Sequence, residues 1–228
     1  MPRVEPRTSD RCRLIVVGGH TRSIGKTALV CELIRALPEA GWVAGKITQY
    51  GHGVCAAKGR GCACAPDEHT RALDWESDAC SGTDSSRFLE AGARRSFWLR
   101  TKQGYLAEGL PLLRDALAKA RAGADEGLNV IVESNSLLQL VKPALYVTVL
   151  DQLREDFKES ARRMLDRADV LVFRRRREDR PAEPRWPPLP QGLARGKLCV
   201  VEGPGDPLPE PLIERVRAVL AARPAVRL

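Results

Sequence analysis

Aromatic residues are scarce in this chain of 228 residues, at 5%. With no stacking motif among them, neither a surface that reads bases by stacking nor a nucleic-acid partner is expected, despite a formal charge of +8. No apolar run approaches the roughly 20 residues that span a bilayer. The opening Met-Pro-Arg-Val-Glu-Pro-Arg-Thr-Ser-Asp lacks the apolar centre of a signal peptide. A cytoplasmic protein with no membrane partner is the expectation. Hairpin dipeptides are missing between the apolar runs, and no internal repeat is present. Also missing are a Cys-x₂-Cys pair and the Asn-Lys-x-Asp of guanine readers.

What is present is a chain 43% apolar and 29% charged, enough for one large α/β domain over residues 1–228. Its organising stretch is Gly18-Gly19-His20-Thr21-Arg22-Ser23-Ile24-Gly25-Lys26-Thr27. Before it comes the apolar run Leu14–Val17, read as a buried strand. After it comes Ala28–Leu37, apolar at helical spacing. Strand, glycine-containing turn, Gly-Lys-Thr and helix form the context of a phosphate-binding loop. There, successive backbone N–H groups wrap an anion and the helix N-terminus adds its dipole. Gly19 through Thr27 are the candidate nucleotide-binding residues, with Lys26 reaching the β- and γ-phosphates and Thr27 ligating Mg²⁺. His20 stands where the usual first glycine would be, one step after Gly19.

Further strands are expected at 42–48, 95–101, 128–133, 144–151, 169–173 and 197–202. Helices are expected at 85–91, 105–122 (with Pro111 a candidate kink), 157–167 and 210–222. The alternation predicts a three-layer α/β sandwich: about seven mostly parallel strands with helices on both faces. Ligands bind such sheets at the carboxyl ends of the strands, which selects Lys46, Glu133 and Asp151. Glu133 is the candidate second ligand for Mg²⁺, or a group that positions water. Lys46 is a candidate for neutralising a phosphate or a substrate anion.

Two segments resist a simple reading. Residues 49–83 form a cysteine-rich insertion without periodicity, holding Cys55, Cys62, Cys64 and Cys80 with His52 and His69 nearby. In a cytoplasmic chain these cysteines argue against disulfides and for thiols, metal, or both. Zinc, an iron–sulfur cluster, a transferred metal and reduced free thiols are the alternatives. Cys12, Cys31 and Cys199 are expected in or near the core. Residues 174–196 form an Arg- and Pro-rich loop, in which Arg174–Arg177 is expected to be a solvated charge run, the alternative being a patch for an anionic ligand or partner.

The spacing of Gly19, Thr21, Gly25 and Lys26-Thr27 resembles the loop of dethiobiotin synthetases, as do a lysine after the second strand and a glutamate ending a later one. A second resemblance reaches further. Asp84-Ser85-Ser86-Arg87-Phe88-Leu89-Glu90-Ala91-Gly92-Ala93 is similar to a motif of the molybdopterin-guanine dinucleotide biosynthesis protein B family, Asp-Ser-x-Arg-x-x-x-Ala-Gly-Ala. Together with the loop, Lys46 and Glu133, the likeness runs from about Leu14 to Glu133. It implies a P-loop NTPase fold and a GTP- or ATP-binding protein, with Arg87 on phosphate or substrate. It also implies service to a cofactor-synthesis enzyme or metalloprotein client, and a homodimer. The alternatives are an ATP-dependent ligase of the dethiobiotin or amide-synthase kind, and a nucleotide-switched metal-binding adaptor.

Overall fold

The computed structural model describes residues 11–51, 55–56, 69–121, 127–175, 184–186, 189–203 and 205–228. Nine strands form one mixed, mostly parallel sheet flanked by helices. In chain order the strands are β1 (Arg11–Gly19), β2 (Val43–Tyr50), β3 (Arg71–Trp75), β4 (Arg95–Lys102), β5 (Leu128–Glu133), β6 (Leu145–Leu150), β7 (Val170–Arg174), β8 (Leu198–Glu202) and β9 (Val226–Arg227). The helices are α1 (Lys26–Ala36), α2 (Asp84–Glu90), α3 (Leu106–Ala120), α4 (Glu159–Met164), α5 (Gln191–Ala194) and α6 (Glu210–Ala221).

Across the sheet the order is β3-β4-β2-β5-β1-β6-β7-β8. All seven strands read from the sequence are present and mutually parallel. Two were missed. β3, inside the segment read as an aperiodic loop, pairs antiparallel on the edge of β4. β9 pairs antiparallel with Arg11 and Cys12, on the flank of β1 that β6 reaches only from Ile15 onward. Both are short, and β3 has one flank exposed, so neither carries the apolar run of a central parallel strand. β2 also runs four residues past Lys46, to Tyr50.

Residues alternate between the faces of the sheet. Ile15, Val17, Ala44, Ile131 and Val147 pack with the buried side chains of α1, Phe88 of α2, and Leu212 and Val216 of α6. Leu14, Val16, Val43, Val130, Val132 and Phe97 pack on the other face with Leu106, Leu113 and Leu117 of α3 and Met164 of α4. Leu14 to Val17 are wholly buried. Among the described residues no helix is long and apolar enough to cross a membrane.

Part of the basic excess works at helix ends. Arg13 donates to the Ala222 carbonyl after α6 at 2.6 Å, and Arg94 donates to Ala120 at the end of α3 at 2.6 Å. Lys197 donates to the carbonyls of Asp166 and Ala168 after α4. Cations on these orphan carbonyls complement the negative pole of each helix. The described cysteines divide differently from expectation: Cys12 and Cys31 are buried but Cys199 is exposed, because alternate residues of β8 face solvent.

Trp42 shows how tightly α1 is tied to β2. Its fully buried indole donates to the Leu37 carbonyl at the end of α1, at 2.9 Å. Trp42→Phe removes that donor and leaves a gap. The expected loss is about 2 kcal/mol of stability, measured by urea denaturation.

Candidate functional site

The reversal of strand order occurs at β1: β2 lies on one side of it, and the chain crosses from β5 to β6 on the other. A crevice at the carboxyl end of such a switch point is where open α/β sheets bind ligands. The segment after β1, 20–25, fills this place and leads into α1. Gly25 is the N-cap residue of α1, with φ 94°, and Ser23 also has positive φ, at 53°. Left-handed backbone at the helix entrance turns successive N–H groups toward one concavity.

Two side chains fix the start of this turn. The Asn135 amide pairs with both backbone groups of Gly19, accepting from its N–H at 2.8 Å and donating to its carbonyl at 2.7 Å. A β-carbon on Gly18 would lie 2.5 Å from Asn135 Oδ1, so glycine there permits this close approach, whereas one on Gly19 would lie 2.6 Å from Ile24 Cδ1 inside the turn. Asn135 carries no sequence signal of its own, since an asparagine just after a strand is an ordinary turn residue. The second is His20, whose buried ring leaves the loop and packs against Phe157 and Trp186, at centroid distances of 5.0 and 6.0 Å. Burial pushes its imidazole below the ordinary histidine range.

Cations converge on the turn. Lys26 Nζ donates to the Thr21 carbonyl at 2.7 Å, folding its side chain over the loop. Burial lowers its pKa, which Glu133 partly restores and Lys158 and Lys46 depress further. Lys158, also without a sequence signal, donates its backbone N–H to the His20 carbonyl at 2.9 Å. Partial burial and then the nearby Arg22 lower its pKa. Thr21 donates to Asp156 at 2.5 Å, holding residues 156–158 over the loop. Lys158 is thus within electrostatic reach of both Lys26 and Arg22, with Asp156 opposing them locally, a charge arrangement suited to a polyvalent anion.

On the other side of Lys26 lies a carboxylate cluster. Lys46 of β2 and Glu133 of β5 are register partners on adjacent parallel strands, and so share a face. Glu133 is 6% exposed. Its Oε2 accepts from Thr27 Oγ1 at 2.6 Å, and its Oε1 lies 3.5 Å from Lys46 Nζ. Lys46 also pairs with Asp84, the first residue of α2, and Arg87 reaches Asp84 at 3.8 Å one turn later. Burial pushes the Lys46 ammonium down, but Glu133 and Asp84 outweigh it and the net shift is upward. Thr83 places Asp84 by capping α2 with a 3.0 Å bond from Ser86 N–H. The hydroxyl of Thr27 and the carboxylate of Glu133 are hard oxygen donors, a set suited to Mg²⁺.

Compared with known proteins, the chain matches no family model and no curated protein. The site therefore rests on its own geometry.

The remaining candidates are dispersed. Asp151 ends β6 buried, accepting from the Leu153 N–H at 2.9 Å and capping its own turn. Arg174 is no solvated loop residue: it ends β7 with a side chain only 14% exposed. Cys55 is buried and Cys80 exposed, while Cys62, Cys64 and His52 lie outside the described residues. Among the described residues no group of three or more metal-ligating side chains gathers.

Asn135→Leu breaks both bonds to Gly19 while keeping the branched shape of the side chain. It is expected to lower the thermal midpoint by a shift worth about 2 kcal/mol, read by calorimetry.

Proposed function

We propose that the chain is a P-loop protein that binds a nucleoside triphosphate with Mg²⁺. One observation carries the reading: the ammonium of Lys26 lies over the loop that it closes, at the start of α1, while Thr27 beside it touches Glu133 of the neighbouring strand. Phosphate oxygens would replace the Thr21 carbonyl as the partner of Lys26 and gather the N–H groups of residues 19–27. Thr27 and Glu133 would hold Mg²⁺, whose charge offsets that of the phosphoryl oxygens. Lys158 and Arg22 supply further positive charge from the open side.

The fold class, the loop, Lys46, Glu133 and the Asp84–Ala93 motif support placing this protein among P-loop proteins that assist cofactor or metallocentre biosynthesis, similar to the molybdopterin-guanine dinucleotide family. In that reading it is a slow GTP or ATP hydrolase. Glu133 orients water or metal-bound ligands, and Lys46 and Arg87 meet the anionic side of the substrate.

A second reading is favoured by Lys46 and Arg87 flanking Asp84 next to Glu133. Two cations beyond the γ-phosphate position suit an acid acceptor, as in an ATP-dependent ligase. In that case phosphate release requires an added organic acid; the hydrolase reading predicts release without one.

Titration with a fluorescent triphosphate tests the shared core of both. Lys26→Ala is expected to weaken binding at least about 100-fold, and chelation of Mg²⁺ should weaken wild-type binding while affecting Thr27→Ala less. Wild-type affinity in Lys26→Ala would overturn the proposal.

A further inference from the structure

The flank of the loop away from Glu133 carries a second built cluster. Arg174 turns back from the end of β7, and its Nη2 donates to the Gly25 carbonyl at 2.9 Å. Its Nη1 pairs with Glu202 at the end of β8, and Glu32 of α1 stands 3.8 Å from Nη2. The Gly25 carbonyl also accepts the first helical bond of α1, from Leu29 N–H at 2.9 Å. Both lone pairs of that oxygen are thus in use, one by the helix and one by the arginine.

The contact is close enough to dictate a residue type. A β-carbon on Gly25 would lie 2.8 Å from Arg174 Nε, besides being strained by the positive φ. Glu202 has a side chain 1% exposed, and its backbone carbonyl accepts from Arg175 N–H at 2.7 Å. Two carboxylates therefore face one guanidinium, with one oxygen of each buried and unbonded. An ion-pair network inside a fold is weak evidence for stability alone. A rigid guanidinium fork joining β8, β7 and the N-cap of α1 is well suited to holding geometry.

We propose that Arg174 is a positioning residue for the phosphate-binding loop: it fixes the Gly25 carbonyl, and with it the first turn of α1, while Glu202 fixes Arg174. The inference rests on the nucleotide reading above. The amides of Lys26 and Thr27 follow Gly25 directly, so a rotation of its peptide unit turns the anion-binding N–H groups away from the phosphate.

Burial, opposed by Arg174 and reinforced by Glu32, pushes the Glu202 carboxyl up to about 7. Its charged surroundings are Arg174 on β7 and Glu32 on α1; α6, also packed on β8, contributes the apolar Leu212 and Val216, and Asp206 is taken by Arg175 at 3.4 Å. A proton on Glu202 lets its O–H donate to Glu32 and weakens the hold on Arg174. Nucleotide affinity should therefore fall as the pH drops through about 7.

The test is binding of a fluorescent triphosphate with Mg²⁺ between pH 6 and 8.5, with thermal midpoints taken in parallel. Wild type is compared with Lys26→Ala, Arg174→Gln, Arg174→Lys and Glu202→Gln. Arg174→Gln should bind about tenfold more weakly, and Arg174→Lys should recover part of that loss. In Glu202→Gln the excess pH dependence of wild type should vanish. A lowered midpoint with unchanged affinity in folded Arg174→Gln would overturn this proposal alone, provided Lys26→Ala still weakens binding. No binding by wild type would overturn the nucleotide reading and this inference with it. Should Arg174→Gln not fold, Arg174→Lys and Glu202→Gln decide: affinity and pH profile equal to wild type in both overturn it.

Discussion

A carboxyl group buried to the degree of Glu133 is costly to take out of water unless polar partners replace the water it loses. Thr27 and Lys46 supply those partners, and each arrives from a different element. Their meeting requires that β5 lie between β1 and β2 and that β2 and β5 be in a single register. A slip of one residue would send Lys46 or Glu133 to the opposite face, among Val132 and Phe97. The parallel sheet and the polar site are therefore one constraint: the apolar faces set the register, and the register assembles the charges.

The loop is held in the same way from three directions. Asn135 grips Gly19 from the end of β5, the 154–158 segment receives His20 and Thr21, and Arg174 grips Gly25 from the end of β7. None of these bonds fills the concavity itself, where Lys26, Lys158 and Arg22 gather. Neighbouring cations repel, so their gathering on a turn of open N–H groups is favourable chiefly when an anion joins them. A scaffold fixed at its rim and cationic at its centre is what preorganised binding of a polyphosphate calls for.

Most strands legible in the sequence are buried on both faces, where nearly continuous apolar runs such as Val130-Ile131-Val132 leave a strong signal; β8, with one face exposed, is legible from its own apolar run Leu198-Cys199-Val200-Val201. β3 and β9 escaped because a short edge strand with exposed residues carries no such run. Lys26, Thr27 and Glu133 were legible because each sits at a fixed offset from a strand end, which is a local property; Lys46 was legible from its place after the apolar start of β2, although the strand runs on to Tyr50. Asn135, Lys158 and Arg174 were not, because an asparagine in a turn, a lysine before a helix and one arginine among four look the same wherever they fold.

The sequence by itself determined the alternation of strands and helices, the loop between β1 and α1, and the strand ends that carry charge. All of these follow from the period of apolar residues and from glycine's backbone freedom, which act over a few residues. Tertiary structure alone decided what holds that loop: the pairing of Asn135 with Gly19, the ring of His20 against Trp186, and the reach of Arg174 to Gly25. Those partners are separated by about 115 to 165 residues. Only the packing of helices onto a single sheet register brings groups so distant to hydrogen-bonding range.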